Sequence, residues 1–443
     1  MSNSVLRPAH QLGGQLLLPA DKSIAHRALI FSALAQGEAI VRFRYPGEDV
    51  RSTIRALDQL GAARFQTAES SDGGWTVWFR GLGDERLIGR LGPGTADCGN
   101  SGTTMRLLAG ALATGAGRAT LTGDASLSGR PMERVAGPLR QMGADIRTTA
   151  GHAPLTIDGR RPLRATEHTL AVASAQLLGA ISLAALAAEG VTTVHLPGPT
   201  RDHTERMLHG LGASVEREEL AAGASVTRIS GPGCLRAQPL SVPGDFSSGA
   251  AWLVAASVHP DAEIRLRLVG LNPTRTALLD VLREMGADIA IEPGWEEGGE
   301  PVGDIVARTA GRLRAVSVGP ERIPALIDEL PVLAVAMAAA DGTSEVRGAA
   351  ELRVKESDRI AAMSAALSAA GAQVEELPDG WRISRGRPRE AHITTHGDHR
   401  VAMAMAVAAW SGVATGVTLD DPNCVAVSYP SFWDDAEALG AVA

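Results

Sequence analysis

One pattern of apolar and polar positions recurs along the 443-residue chain. A stretch with amphipathic spacing, such as ERMLHGLGA, runs into a Leu-Gly-Ala-like phrase, and residues of β type follow, as in GADIRT, GASVER and GAQVEE. The phrase stands at Leu60-Gly61-Ala62, Met142-Gly143-Ala144, Leu211-Gly212-Ala213, Met285-Gly286-Ala287, Ala370-Gly371-Ala372 and Leu439-Gly440-Ala441. Its glycines are 82, 69, 74, 85 and 69 residues apart. Glycine just past a helix takes the left-handed conformation that ends it, and the chain then turns into a strand. One Gly-Ala pair carries little weight in a chain with 50 glycines. Six at near-constant spacing predict repeated α/β units.

A chain of this length exceeds one ordinary core, so two domains of three repeats each are the simplest grouping. Pro243-Gly244-Asp245, after the strand-like LSVPG, offers the boundary near the middle. Gly-rich GWEEGGEPVGD (Gly294 to Asp304) reads as a surface hairpin or loop inside the fourth repeat, and GTSEVRG after AVAMAAAD as a helix–turn–strand connection. The alanine-rich runs Ala180 to Ala188, Ala334 to Ala340 and Ala402 to Ala409 are too short to cross a membrane and predict buried, closely packed helices.

The net charge of −8 and the absence of a long basic run exclude a general nucleic-acid binder. Cys98, Cys234 and Cys424 are far apart and make no metal or CxxC spacing, so a reduced cytoplasm is expected. The N-terminal MSNSVLRPAHQLGG has no apolar core of signal-peptide length.

Candidate chemistry gathers where apolar helices begin. Asp21-Lys22-Ser23 with Arg27, Asn100-Ser101-Gly102-Thr103-Thr104 with Arg106, Thr200-Arg201-Asp202-His203-Thr204, Gly244-Asp245-Phe246-Ser247-Ser248, Lys355-Glu356-Ser357-Asp358-Arg359 and Gly397-Asp398-His399-Arg400 share one architecture. Each joins small or capping residues to the start of an apolar run, and most add cations. Ser, Thr, Asp and Asn there serve as N-caps, which does not explain the cations. A cation in a first helical turn opposes the macrodipole, and Lys355 and Arg359, four apart, would repel each other on one face. An anion between them removes both penalties, so the clusters predict a site for highly anionic ligands. Only Lys22 and Lys355 among the 42 basic residues are lysine. Their retention points to positions that need a compact ammonium. Arg130, before Pro131, is held in an extended or turn conformation away from a helix. Asp328 and Glu329, acids amid apolar neighbours, read as a cap or a desolvated base. His203 and His399 read as hydrogen-bonded structural residues, and no metal site or cofactor is expected.

With these clusters in place, the chain resembles the 5-enolpyruvylshikimate-3-phosphate synthase family. DKSIAHR, NSGTTMR, GDASLSGRPMERV, SAQ, TRDHTERML, NPTR, IDELPVLAVA, ELRVKESDRI and GDHRVAMA follow the family's order over essentially the full length, with variants similar to the class II bacterial branch. The resemblance implies an α/β fold of two domains, each of three βαβαββ repeats about a pseudo-threefold axis. One domain would comprise residues 1–20 plus 245–443 and the other 21–244, with the active site in a cleft that closes on substrate. It implies transfer of the enolpyruvyl group of phosphoenolpyruvate to the 5-hydroxyl of shikimate 3-phosphate, in a cytoplasmic monomer with no nucleic-acid or membrane partner. By motif, shikimate 3-phosphate would be held by Lys22, Ser23, Arg27, Ser174, Ala175 through its backbone, Gln176, Arg201, Asp328 and Lys355. Phosphoenolpyruvate would lie on Lys22, Arg130, Gln176, Arg359 and Arg400, with Gly102 at close range. Asp328 would be the base at the 5-hydroxyl and Glu356 the proton carrier at the methylene carbon, with Lys22 able to share proton transfer.

Two departures bear on affinity. Leu177-Leu178 follows Gln176 where class II members often have a lysine nearby, and Val427 stands where many members place a lysine that touches phosphoenolpyruvate. Weaker phosphoenolpyruvate binding is expected. Gly102 is the small residue typical of glyphosate-sensitive members, which implies inhibition by glyphosate. Two alternatives within the chemistry are an acceptor such as UDP-N-acetylglucosamine, whose transferases resemble this chain poorly in KESDR and GDHR and usually rely on a cysteine near the Arg130 region, and a modified shikimate. An alternative of another class is a non-catalytic anion-binding protein.

Overall fold

The computed structural model describes residues 5–61, 65–69, 73–79, 94–115, 117–160 and 162–441. All six repeat glycines have positive φ, between 62° and 103°. Five of the six phrases end their helix in the same way. The alanine N–H reaches back five residues, as in Ala144 to the Leu139 carbonyl and Ala287 to Leu282 (both within 2.9–3.1 Å), while the glycine N–H bonds an inner carbonyl, as in Gly143 to Arg140 at 2.9 Å. This is the Schellman pattern, which satisfies the last carbonyls of the helix. Strands follow at Asp145, Val215, Asp288 and Gln373. Ala62 of the first phrase lies outside the described residues.

The chain forms two compact units. Residues 1–19, 244–295 and 301–443 make the first, and residues 20–243 with 296–300 make the second. Strand pairing shows how each is completed by a distant piece of chain. Leu12–Leu17 pairs in parallel with Ala262–Gly270 in the first unit, while Leu240–Ser241 pairs in parallel with Ala39–Arg44 in the second. Five sheets join such a parallel pair to an antiparallel hairpin, as in the order Gly94–Asp97, Arg118–Thr122, His152–Asp158, Asp145–Thr149. The last repeat is shorter: Glu390–Ile393 and Gly416–Leu419 pair alone, and Leu6 bridges Val417 from the other side. The hairpin Asp288–Glu297 and Glu300–Arg308 is not wholly on the surface as expected. Its tip groups with the second unit, and Glu300 is buried there.

Each unit is centred on three helices apolar on all sides, as buried helices are. They are Phe246–Val258, Leu330–Ala339 and His399–Trp410 in the first, and Lys22–Leu34, Gly102–Leu112 and Ala175–Ala185 in the second. Small side chains bring them close. A Cβ on Gly110 would lie 2.1 Å from the Ala180 carbonyl oxygen, so only glycine allows that approach. The predicted alanine-rich helices are these cores, although Ala188 itself begins the next strand.

Candidate active site

Helices buried along their length still carry unpaired N–H groups at their starts, and those starts hold most of the candidate residues. In the second unit, Asp21 caps Lys22–Leu34 through the Ile24 N–H at 3.0 Å, Ser101 caps Gly102–Leu112 and Ser174 caps Ala175–Ala185. Side chains tie the three starts together. Arg27 is 2% exposed. It donates to the Ser23 carbonyl (2.9 Å), the Ala175 carbonyl (3.2 Å) and Thr204 Oγ1 (2.8 Å). Gln176 accepts from Arg106 at 2.5 Å and donates to Thr103 Oγ1 at 2.8 Å. Arg130 lies outside any helix, as Pro131 predicts, and donates to Asn100 Oδ1 at 2.6 Å.

The positive charge here is under strain. Burial pushes both Arg27 and Arg106 down to about 10, and Arg134 and Arg130 push Arg106 further the same way. Gly102 faces this cluster: a Cβ would stand 2.8 Å from one Arg106 nitrogen and 3.4 Å from one of Arg130. Lys22 is half exposed and pairs with Asp49 at 2.8 Å. Arg201 lies close enough to Arg27 to be felt as like charge, just before the helix His203–Gly210. His203 is structural, as expected, with Nδ1 2.7 Å from the Glu300 carboxylate.

Beneath Lys22 runs a buried polar chain from His26 Nδ1 to Thr53 Oγ1 (2.6 Å), Thr104 Oγ1 (2.7 Å) and Ser101 Oγ (2.7 Å). Burial above all, and Lys22 and Arg27 after it, push His26 down to about 3 against the opposing pull of Asp49. The unfolded chain protonates this histidine below its ordinary 6.5 while the fold does not, so stability is intact above that pH and is lost as pH falls towards 3. The loss by pH 5 is about 2 kcal/mol from this residue. His399, also buried and pushed down to about 3, adds to it. Thermal unfolding between pH 7.5 and 5 should show a slope that is shallower in His26→Asn. An unchanged slope would contradict it.

In the first unit the cluster centres on Asp328 and Arg359. Arg359 is 1% exposed. Its Nε donates to Asp398 at 2.8 Å and one terminal nitrogen to Glu356 at 2.6 Å, while the other lies 4.0 Å from Asp328. Arg400 donates to the Asp328 carbonyl at 2.7 Å and has a second nitrogen 4.0 Å from its carboxylate. Asp398, fully buried, caps His399–Trp410 and also accepts from Ser357 at 2.9 Å. Burial pushes the Glu356 and Asp398 carboxyls up, but Arg359 together with His399 and backbone N–H groups outweighs it, and both are held below the ordinary range. Glu329, at the N-cap position of Leu330–Ala339, does not cap that helix through its side chain.

One expectation is corrected. Lys355 and Arg359 do not share a helical face, because the helix begins at Arg359 and Lys355 ends the preceding 3-10 turn. Asp358 supplies the cap that starts the helix so late, and Lys355 pairs instead with Glu351 at 2.5 Å. Asp49 was not singled out from sequence: an acid in the first turn of an amphipathic helix has an ordinary explanation. Among the described residues no group of three or more His, Cys, Asp or Glu could hold a metal ion, and no helix is long and apolar enough to cross a membrane.

Two three-repeat units with cations and carboxylates collected at buried helix starts define the enolpyruvyl transferase fold. The enolpyruvyl transferase NikO from Streptomyces tendae, 19% identical, shares it with a TM-score of 0.72 over 99% of this chain and 97% of that one. The chain belongs to the EPSP synthase (3-phosphoshikimate 1-carboxyvinyltransferase) family, whose model matches residues 6–436. The 3-phosphoshikimate 1-carboxyvinyltransferase of Gloeobacter violaceus is 50% identical over 436 residues, 97% of each chain. That of Xanthomonas campestris pv. campestris is 47% identical over 100% of this chain and 98% of its own. The structure of EPSP synthase from Acinetobacter baumannii is similar with a TM-score of 0.89 and 38% identity, covering 99% of this chain and 98% of that one.

Proposed function

We infer that the chain is an enzyme that transfers the enolpyruvyl group of phosphoenolpyruvate to the 5-hydroxyl of shikimate 3-phosphate and releases phosphate. It serves the shikimate pathway and aromatic amino-acid biosynthesis, as a monomer in the cytoplasm. Family membership supports the reaction. The observation that carries the mechanism is the grouping of Asp328, Glu356, Arg359 and Arg400, which supplies two carboxylates and two cations in one place.

In the addition step a proton goes to the methylene carbon of phosphoenolpyruvate as the 5-oxygen, losing its own proton, attacks the adjacent carbon. The tetrahedral ketal then loses phosphate while the methyl carbon returns a proton. Asp328 takes the hydroxyl proton and Glu356 serves the methylene carbon, with Lys22 close enough in role to share. Arg359 keeps Glu356 ionised in the free protein, the wrong state for a donor. A bound anion that competes for Arg359 weakens that pull and adds negative charge, and both raise the Glu356 carboxyl towards a proton-donating state. Shikimate 3-phosphate is held by Lys22, Ser23, Arg27, Ser174, the Ala175 backbone, Gln176, Arg201, Asp328 and Lys355. Phosphoenolpyruvate is held by Lys22, Arg130, Gln176, Arg359 and Arg400, at Gly102. Turnover requires both sets to act on one substrate pair. Glyphosate then competes with phosphoenolpyruvate, and inhibition that does not weaken as phosphoenolpyruvate rises would contradict this.

An acceptor test separates the readings. Phosphoenolpyruvate should be consumed with shikimate 3-phosphate and not with UDP-N-acetylglucosamine; the opposite preference would overturn the assignment. Two of the three cysteines fit the first acceptor, since burial pushes Cys98 up to about 12 and Cys424 up to about 11, out of reach of thiolate chemistry. Val427, on the turn Pro422–Val427, is 53% exposed, so a longer side chain meets no steric cost. Val427→Lys should lower the KM for phosphoenolpyruvate by about tenfold, or ~1.4 kcal/mol. A KM unchanged within twofold would remove this position from the phosphoenolpyruvate site.

A further inference from the structure

Beside Asp328 lies a buried carboxylate that the chemistry above does not use. Glu329 occupies the N-cap position of Leu330–Ala339 but makes no side-chain cap there. Its carboxylate instead accepts a short hydrogen bond from Ser247 Oγ. One nitrogen of Arg275 donates to the same Ser247 Oγ at 2.7 Å and reaches Asp245 Oδ1 at 3.1 Å. Asp245 in turn caps Phe246–Val258, accepting from the Ser247 N–H at 3.0 Å. Glu329 is 1% exposed and Arg275 5%. The chain of contacts therefore joins the starts of two core helices to the turn that holds Arg275, entirely inside the first unit.

Its effect falls on Asp328. The backbone at Glu329 is near helical, with φ −95° and ψ −10°. Successive side chains then diverge by about 100°. Glu329 runs to Ser247, while Asp328 faces Arg359 and Arg400. Asp328 is thus gripped at its own carbonyl by Arg400 and, one residue on, by the Ser247 hydroxyl. A buried ionic network is weak evidence for stability, because well-packed apolar replacements are often neutral or better. What it fixes is a single geometry.

We propose that Glu329 and Arg275, acting through Ser247, are positioning residues that hold Asp328 at the orientation proton transfer requires. This rests on the reading of Asp328 as the base. A misplacement of about 1 Å can cost on the order of a hundredfold in rate without loss of binding. Glu329→Gln keeps the size of the side chain but weakens its bond, and Ser247→Ala removes the bridge with a smaller change. Each is expected to lower kcat about tenfold, with KM for both substrates within about twofold. The double variant should be no slower than the slower single, because both break one chain of contacts. Folding is followed by circular dichroism and thermal midpoint. Folded variants with kcat within twofold of wild type would overturn the proposal, as would a rise in KM at unchanged kcat. Asp328→Asn is the parallel arm: if it keeps wild-type turnover, the assignment of the base fails instead.

Discussion

Glu356→Gln should lower kcat by about a thousandfold while leaving the fold untouched. The side chain is 56% exposed, so its neutral isostere removes little packing. What is lost is the group proposed to give a proton to the methylene carbon and take it back. The KM for shikimate 3-phosphate should stay within a few-fold, since that ligand is assigned to other side chains. Steady-state phosphate release over a range of both substrates measures the effect. A variant within tenfold of wild type would remove Glu356 from proton transfer.

Arg359→Met should be damaging in a different way. Asp398 is completely buried and depends on Arg359 through two hydrogen bonds, at 2.8 and 3.3 Å. Removing one partner of a buried pair leaves an uncompensated charge and costs about 3–5 kcal/mol. The pH dependence has a definite sign. Against the upward push of burial, Arg359, with His399 and the Arg400 N–H, holds Asp398 below its ordinary 3.8, so in the wild type this pair adds stability above the unfolded value and loses it as pH falls. Without Arg359, burial pushes the Asp398 carboxyl up instead, so the variant's native state takes up a proton that the wild type's does not, and the gap in unfolding free energy should narrow as pH falls from neutral through about 4. Denaturant unfolding at pH 7.5 and pH 4 tests this. A constant gap would mean that Asp398 is compensated by other groups, His399 and Ser357 foremost. Turnover should be lost as well, because the cation proposed to receive phosphoenolpyruvate is gone.

Local signals made the periodic parts of this protein and its helix starts legible. A glycine after an amphipathic run has few backbone conformations that end a helix cleanly, and all six repeat glycines adopt the expected one. Runs of alanine and leucine without a polar face can only be buried, and they form the centre of each unit. The clusters at the starts of those runs were legible for the same reason, since capping residues have a fixed place relative to the helix they begin. Long-range pairing was not legible. Nothing local marks Asp49 as the partner of Lys22, 27 positions away, or Glu329 as the partner of Ser247, 82 positions away. Lys355 misled for a related reason. Spacing of four suggests a shared helical face, but a capping Asp358 one residue before Arg359 delays the helix past it. In the hairpin tip, glycine-rich composition signalled exposure, yet Glu300 is buried against His203, a contact set by folding of distant segments.

The central claim is tested most directly by phosphate release from the purified protein given shikimate 3-phosphate and phosphoenolpyruvate together, with each substrate alone as control. Phosphate should appear only when both are present, in step with a product carrying the enolpyruvyl ether at the 5-position. Binding of both ligands with no phosphate released would contradict the account and leave an anion-binding protein built on a transferase fold.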